Sequence, residues 1–144
     1  MILKEPDMSY HAVAEVLGIE EPQSSLDMID IVRHGLPSEG VTALSCKLGI
    51  TPGELSRYLH VSLKTLQRYK GKVLDINMSD RLLTVALVYS KGVDVFGSEE
   101  NSVSWLKSPV SALGNARPLD YLDTNSGAAM IMTLLGRIEY GVYS

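Results

Sequence analysis

The run from Thr51 to Lys70, TPGELSRYLHVSLKTLQRYK, admits few folds because two helix starts lie within it. Thr51 supplies a capping hydroxyl, Pro52 suits the first helical position, and Glu54 stands three residues after the cap to reach back to it. Leu55 and Leu59 then share one helical face, with small Ser56 beside them. The pattern breaks at His60-Val61 and restarts at Ser62, a second capping residue, from which Leu66 and Tyr69 form the next apolar stripe. Two short helices with a small residue at their crossing predict a helix-turn-helix over 51–70. Its core would be Leu55, Leu59, Val61, Leu66 and Tyr69. The turn between them calls for positive φ at His60, a position that glycine commonly fills. Ser62, Leu63, Lys64, Gln67 and Arg68 fall on the outer face of the second helix. Gln pairs bidentately with adenine, Arg or Lys with guanine, and Leu meets a thymine methyl, so these residue types suit a major-groove reader.

The net charge of −4 argues against a nucleic-acid partner until its distribution is read. Residues 1–40 carry eight acidic and two basic groups. Residues 41–81 reverse this, with Lys47, Arg57, Lys64, Arg68, Lys70, Lys72 and Arg81 against Glu54, Asp75 and Asp80. A local basic excess around the helix-turn-helix is the electrostatic footprint of a DNA-facing patch, which Lys70 and Lys72 extend past the second helix. The excess is modest for one half-site, so a homodimer on two half-sites of an operator is expected.

Helix-forming residues dominate and alternating runs are scarce, which predicts an all-α protein. With one Phe and one Trp among 144 residues, its core must be largely aliphatic. Ser9 is expected to cap a helix through Leu17, with Val13, Val16 and Leu17 inward and Gly18 as its stop. After the connector 20–23, Ser25 or Asp27 opens a helix with Leu26, Ile29 and Val32 on one face and Gly35 at its end. Pro37-Ser38 restarts the chain. Val41, Leu44, Cys46 and Leu48 make the next helix, closed by Gly49, with the single cysteine read as a core residue. Residues 73–78 are expected to cross over in extended form. Ser79 and Asp80 then cap a long helix that is apolar round much of its girth and ends at Gly92 or Gly97. A further helix runs from Ser98-Glu99-Glu100 to Ser108-Pro109 and places Trp105 in the core. A broken turn over 113–118, a short helix over 118–122 and a last helix from Thr124 to about Tyr140 complete the chain. The division is drawn at residue 77: an N-terminal helical region over 1–77 that holds the helix-turn-helix, and a second helical unit over 78–144.

Chemistry beyond binding is thinly represented. The glycines are singletons at helix ends and form no nucleotide-binding loop. Asp120 and Asp123 read as a solvated face, not as a catalytic carboxylate pair. His11, His34, His60 and Cys46 have no metal-ligand spacing. No catalysis, metal or cofactor is therefore expected. The longest charge-free apolar stretch, 128–136, is far short of the roughly 20 residues that span a membrane. The N-terminus lacks a signal peptide's apolar run, so a cytoplasmic location without membrane contact is expected.

The second half carries an ordered set of short motifs: Ser79-Asp80-Arg81-Leu82, Phe96-Gly97, Trp105-Leu106-Lys107-Ser108-Pro109, Ala112-Leu113-Gly114, Arg117-Pro118-Leu119-Asp120-Tyr121-Leu122, Gly127-Ala128 and Arg137-Ile138-Glu139-Tyr140-Gly141-Val142. In that order they resemble the toxin-binding domain of the Xre/MbcA/ParS antitoxin family, including the Xre partners of Res toxins. The resemblance covers about residues 40–144. It implies an antitoxin of a type II pair that inhibits a cognate Res-type, NAD-consuming toxin and represses its own operon by binding operator DNA. It also implies a toxin-facing surface made by Leu113, Gly114, Asn115 and Arg117 and by the tail Arg137, Tyr140, Gly141, Val142, Tyr143 and Ser144. Tyr140 and Tyr143 have their own rationale there, as aromatic anchors are frequent at interfaces. The residues alone also fit a stand-alone helix-turn-helix repressor whose second half dimerises or senses a ligand. A pure interaction adaptor that has lost DNA affinity fits as well.

Overall fold

One long helix organises the molecule because its sequence offers apolar residues on most of its sides. The computed structural model describes residues 10–141. Among these, the helices are α1 (His11–Leu17), α2 (Ser25–His34), α3 (Glu39–Leu48), α4 (Pro52–Tyr58), α5 (Leu63–Arg68), α6 (Ile76–Phe96), α7 (Glu99–Leu106) and α8 (Asn125–Glu139). Two 3-10 turns, Ser111–Leu113 and Pro118–Tyr121, lie between α7 and α8. The described residues form no strand, only isolated bridges at Pro37–Val73 and Val110–Ala116. The all-α expectation holds.

Twenty-one residues of α6 rise through about 30 Å, enough to serve as an axle for a small domain. Met78, Leu82, Val85, Ala86, Val88 and Tyr89 along it are buried. Helices α1, α2, α3 and α4 pack on it from one half of the chain, and α7 and α8 from the other. Each fully buried leucine at these contacts contributes about 1.5–3 kcal/mol by leaving water. Helix α6 starts at Ile76, earlier than Ser79-Asp80 would place it, because the Asp75 carboxylate already accepts from the Met78 N–H at 2.8 Å. Ser79 is instead fully buried inside the helix, where its hydroxyl accepts from the Leu36 N–H at 2.8 Å. The extended crossover over 73–78 shrinks accordingly. Only the strip around Val73-Leu74 pairs, through Ser38 N–H to Lys72 O and Leu74 N–H to Leu36 O. The stop is Gly97 at φ 86°, while Gly92 lies within the helix.

Four other expectations are corrected. Helix α2 is capped by Ser24, whose hydroxyl accepts from the Asp27 N–H at 3.2 Å, not by Ser25 or Asp27. Its buried face is Met28 and Val32, which meets α6, so Leu26 and Ile29 stay exposed. Cys46 is exposed too. Leu44, Cys46 and Leu48 are spaced by two, which is a strand period. On a helix the stripe is Val41, Leu44, Ser45 and Leu48, and residue 46 turns away from it. Trp105 is half-buried at the edge of the core, its ring tilted against Phe96 with centroids 5.5 Å apart. The Ser9 cap lies outside the described residues. Val13, Val16 and Leu17 do face inward on α1, which Gly18 ends at φ 68°.

Candidate nucleic-acid and partner interfaces

The helix-turn-helix forms as its caps dictate. Thr51 Oγ1 accepts from the Glu54 N–H at 3.0 Å, and Glu54 Oε1 accepts from the Thr51 N–H at 3.4 Å, a reciprocal pair that opens α4. Ser62 Oγ accepts from the Thr65 N–H at 3.0 Å and opens α5. Leu55, Leu59 and Leu66 are buried between the two helices, and Val61 and Tyr69 half-buried at the margin. Ser56 is buried where the chain turns: its carbonyl accepts from the Val61 N–H, and its hydroxyl donates to Gly53 O. His60 sits at φ 62°, the left-handed conformation that the turn requires.

Ser62, Leu63, Lys64, Gln67, Arg68, Lys70 and Lys72 are all exposed. Lys64 and Arg68 lie one turn apart. Leu63 and Gln67, also one turn apart, border with Lys70 a groove of about 610 Å³ that α3 and the start of α4 complete through Glu39, Thr42 and Pro52. Two of the seven basic groups counted around the motif face elsewhere. Lys47 pairs with Glu99 on α7 at 2.7 Å, and Arg81 is buried. The basic surface beside the recognition helix therefore rests mainly on Lys64, Arg68, Lys70 and Lys72.

Arg81 is the feature that sequence reasoning missed. Its Nε donates to Tyr58 O at 3.0 Å, its Nη1 to Asn125 Oδ1 at 2.5 Å, and its Nη2 to Leu122 O. Burial pulls the guanidinium pKa down, and the carboxylates of Asp80 and Asp123 partly offset this. A signal was present. On a helix, position 81 falls on the same stripe as Met78, Leu82 and Val85, where a charge must be internally satisfied.

Between α7 and α8 the chain makes a tight loop. Val110 and Ala116 bridge, with Val110 N–H to Ala116 O and Asn115 N–H to Val110 O both at 3.0 Å. Gly114 and Asn115 adopt φ 64° and 68° in succession, which suits glycine and asparagine. Leu113 is half-buried, Gly114 and Asn115 are exposed, and the Tyr121 hydroxyl donates to Leu113 O at 3.5 Å. Arg117 is paired with Asp120 at 2.8 Å, a bond that raises the arginine's pKa. At the other end of α8, Arg137 and Tyr140 are exposed, Tyr140 at 66%, and Gly141 is at φ 71°. Val142, Tyr143 and Ser144 lie outside the described residues. The loop is anchored at Tyr121, just before α8, and the tail leaves its far end. A helix of 15 residues puts roughly 20 Å between those anchors, so they are two patches.

Comparison with known proteins finds two domains in the chain. Residues 27–86 match the antitoxin Xre-like helix-turn-helix domain, and residues 91–141 match the antitoxin Xre/MbcA/ParS C-terminal toxin-binding domain. An antitoxin Xre of Photorhabdus laumondii is 32% identical over 118 residues, covering 79% of each chain. The chain belongs to the Xre/MbcA/ParS antitoxin family. A second antitoxin Xre, from Yersinia enterocolitica, is 26% identical over 121 residues, 81% of each chain. A Prs ADP-ribosylating antitoxin of Sphingobium sp. is 26% identical over 132 residues, 84% of this chain and 83% of the relative. The antitoxin thus joins a helix-turn-helix to a toxin-binding domain, with α6 running through the junction of the two matches. These two domains point to a regulatory role. None of its described helices is long and apolar enough to cross a membrane.

Proposed function

We propose that this antitoxin neutralises a Res-type, NAD-consuming toxin and represses its own operon as a cytoplasmic homodimer on operator DNA. The carrying observation is the pairing, in one chain, of a toxin-binding domain with a helix-turn-helix whose second helix leaves Lys64, Gln67 and Arg68 exposed. The ordered motifs from Ser79 to Val142 support the Res-type assignment. In this reading residues 1–77 serve DNA and 78–144 serve the toxin. Ser62, Leu63, Lys64, Gln67 and Arg68 read bases or meet the groove wall, and Lys70 and Lys72 contact phosphates. Leu113, Gly114, Asn115 and Arg117 form one toxin-facing patch; Arg137, Tyr140, Gly141, Val142, Tyr143 and Ser144 form the other. Two copies are needed because four lysine and arginine side chains neutralise few phosphates, and operator symmetry matches two-fold proteins.

The test is a titration of DNA from upstream of the operon. Arg68→Ala should lose about 1–3 kcal/mol on the true site if it pairs with a guanine, and lose much less on unrelated DNA. Lys70→Ala and Lys72→Ala should weaken all sequences alike and flatten the salt dependence. Absence of any complex with the wild-type protein at low salt ends the DNA reading. Light scattering that gives a monomer, alone and with toxin, ends the dimer reading. Failure to rescue cells expressing a Res-type toxin ends the toxin assignment.

A further inference from the structure

The helix-turn-helix is gripped at its turn by residues of the other domain. Arg81, in the helix-turn-helix match, reaches Leu122 O and Asn125 Oδ1 in the toxin-binding match. Its third bond goes back to Tyr58 O at the last residue of α4. Beside it, the ring Nε2 of His60 lies 2.5 Å from Asp123 O. Leu122, Asp123 and Asn125, just before and into α8, thus form a seat for the turn between α4 and α5. The bonds run to the carbonyl end of α4 and to the one residue of the turn with left-handed backbone. Those two points determine the angle at which α5 leaves α4.

We propose that Arg81 and His60 are positioning residues for DNA reading, through which the Leu122–Asn125 segment of the toxin-binding domain sets the pose of the recognition helix. Neither residue touches bases in this scheme. Arg81 is buried, and its guanidinium is occupied by three acceptors on two elements besides its own. A hydrophobic residue would fill the volume but hold none of them. Loss of the seat leaves α4 and α5 folded by their own caps and leucines, yet free to shift against α6. Base contacts, which depend on orientation, then weaken more than phosphate contacts, which tolerate small displacements. The proposal rests on operator binding by α5, and a separate observation in the same assay tests that premise.

Full-length protein is titrated by fluorescence anisotropy with upstream operator DNA and with a scrambled duplex, and thermal melts are recorded in parallel. Arg81→Met should lower operator affinity by roughly tenfold, the scale of hydrogen bonds to a charged group, and change scrambled-duplex affinity less than about twofold. Asn125→Asp keeps an acceptor for Nη1 and suits a helix start, so it should keep wild-type operator affinity, whereas Asn125→Leu should lose several-fold. His60→Gly relieves the left-handed turn but removes the tie to Asp123, and it too should lose operator preference. The Asn125 pair keeps the proposal testable if Arg81→Met fails to fold. Equal loss on both duplexes in folded variants, or unchanged operator preference in Arg81→Met and Asn125→Leu, overturns the positioning role alone. A wild-type chain that does not prefer the operator overturns the DNA reading, and with it this role.

Discussion

Gly92→Ala should destabilise the antitoxin, although alanine for glycine inside a helix ordinarily stabilises. The usual gain is about 1 kcal/mol, from lower backbone entropy in the unfolded chain and better helix propensity. Here α6 meets α7 at closest approach, and a Cβ on residue 92 would overlap Ser102 Oγ and stand 3.1 Å from its Cβ and 3.5 Å from its Cα. Ser102 is fully buried, and its hydroxyl donates to Tyr89 O at 2.8 Å. To make room, the hydroxyl must leave that acceptor, at about 1–3 kcal/mol for a buried group without a partner. Alternatively α7 must move, at about 1–3 kcal/mol for overpacking. Even with both in part, less the propensity gain, the net is about 1–4 kcal/mol of lost stability. Urea melts followed by circular dichroism measure it directly. Gly92→Ala combined with Ser102→Ala removes the Oγ overlap and should be more stable than the sum of the two single changes by about 1 kcal/mol. An increase in stability for Gly92→Ala alone would refute the close-crossing account, because it would mean that α7 sits farther from α6.

Lys91→Ala should cost about 3 kcal/mol, the range for removing one partner of a buried ion pair: its ammonium lies 2.8 Å from Glu139, at side-chain exposures of 8% and 20%. Because Glu139 closes α8, toxin neutralisation in co-expression should fall more than operator affinity does in the same variant. The Lys47–Glu99 pair gives a pH signature. The hydrogen bond from Lys47 lowers the Glu99 pKa, and the bond to Glu99 raises that of Lys47. Stability from Glu99 is therefore present at neutral pH and declines in acid, from the ordinary carboxylate range near 4.5 downward; that from Lys47 declines only above about 10.5. Glu99→Gln should flatten the acid limb of a stability–pH profile and change little at pH 7, since both side chains are about 40% exposed. A chain ending at Tyr140 should keep its melting temperature and operator affinity yet neutralise toxin at a lower dose only; equal rescue across a toxin titration would remove the tail from the interface.

What the sequence discloses here follows from the range of the forces involved. Thr51, Glu54 and Ser62 act within one turn of their own chain, so the starts of α4 and α5 were readable to the residue. His60 was readable as the left-handed position because that need belongs to the turn itself. Asp75 is just as local a cap, but Ser79-Asp80 offers a competing start four residues on. Distinguishing them required Leu36, whose N–H takes up the Ser79 hydroxyl across 43 positions of chain. The same limit applies to α2. Leu26, Ile29 and Val32 make a sound apolar stripe, but Met28 and Val32 make another, and only the position of α6 selects between them.

Arg81 extends this reasoning to function. By composition it counts as one more positive charge beside a DNA-reading motif; by position it lies on the buried stripe of the long central helix. Its three acceptors, Tyr58 O, Asn125 Oδ1 and Leu122 O, are 23, 44 and 41 residues away, and two of them are backbone carbonyls with no side-chain identity to read. A buried guanidinium is tolerated only where such acceptors are fixed in advance. The cost of leaving it unsatisfied therefore ties the folding of the helix-turn-helix to that of the segment before α8. Together with Lys47–Glu99 and Lys107–Gly49 O, it joins the two domains at separate points. A chain held in this way should unfold in one transition, and cutting it at the boundary between its two domain matches should leave Arg81 without Leu122 and Asn125, two of its three acceptors, and weaken the DNA-binding half.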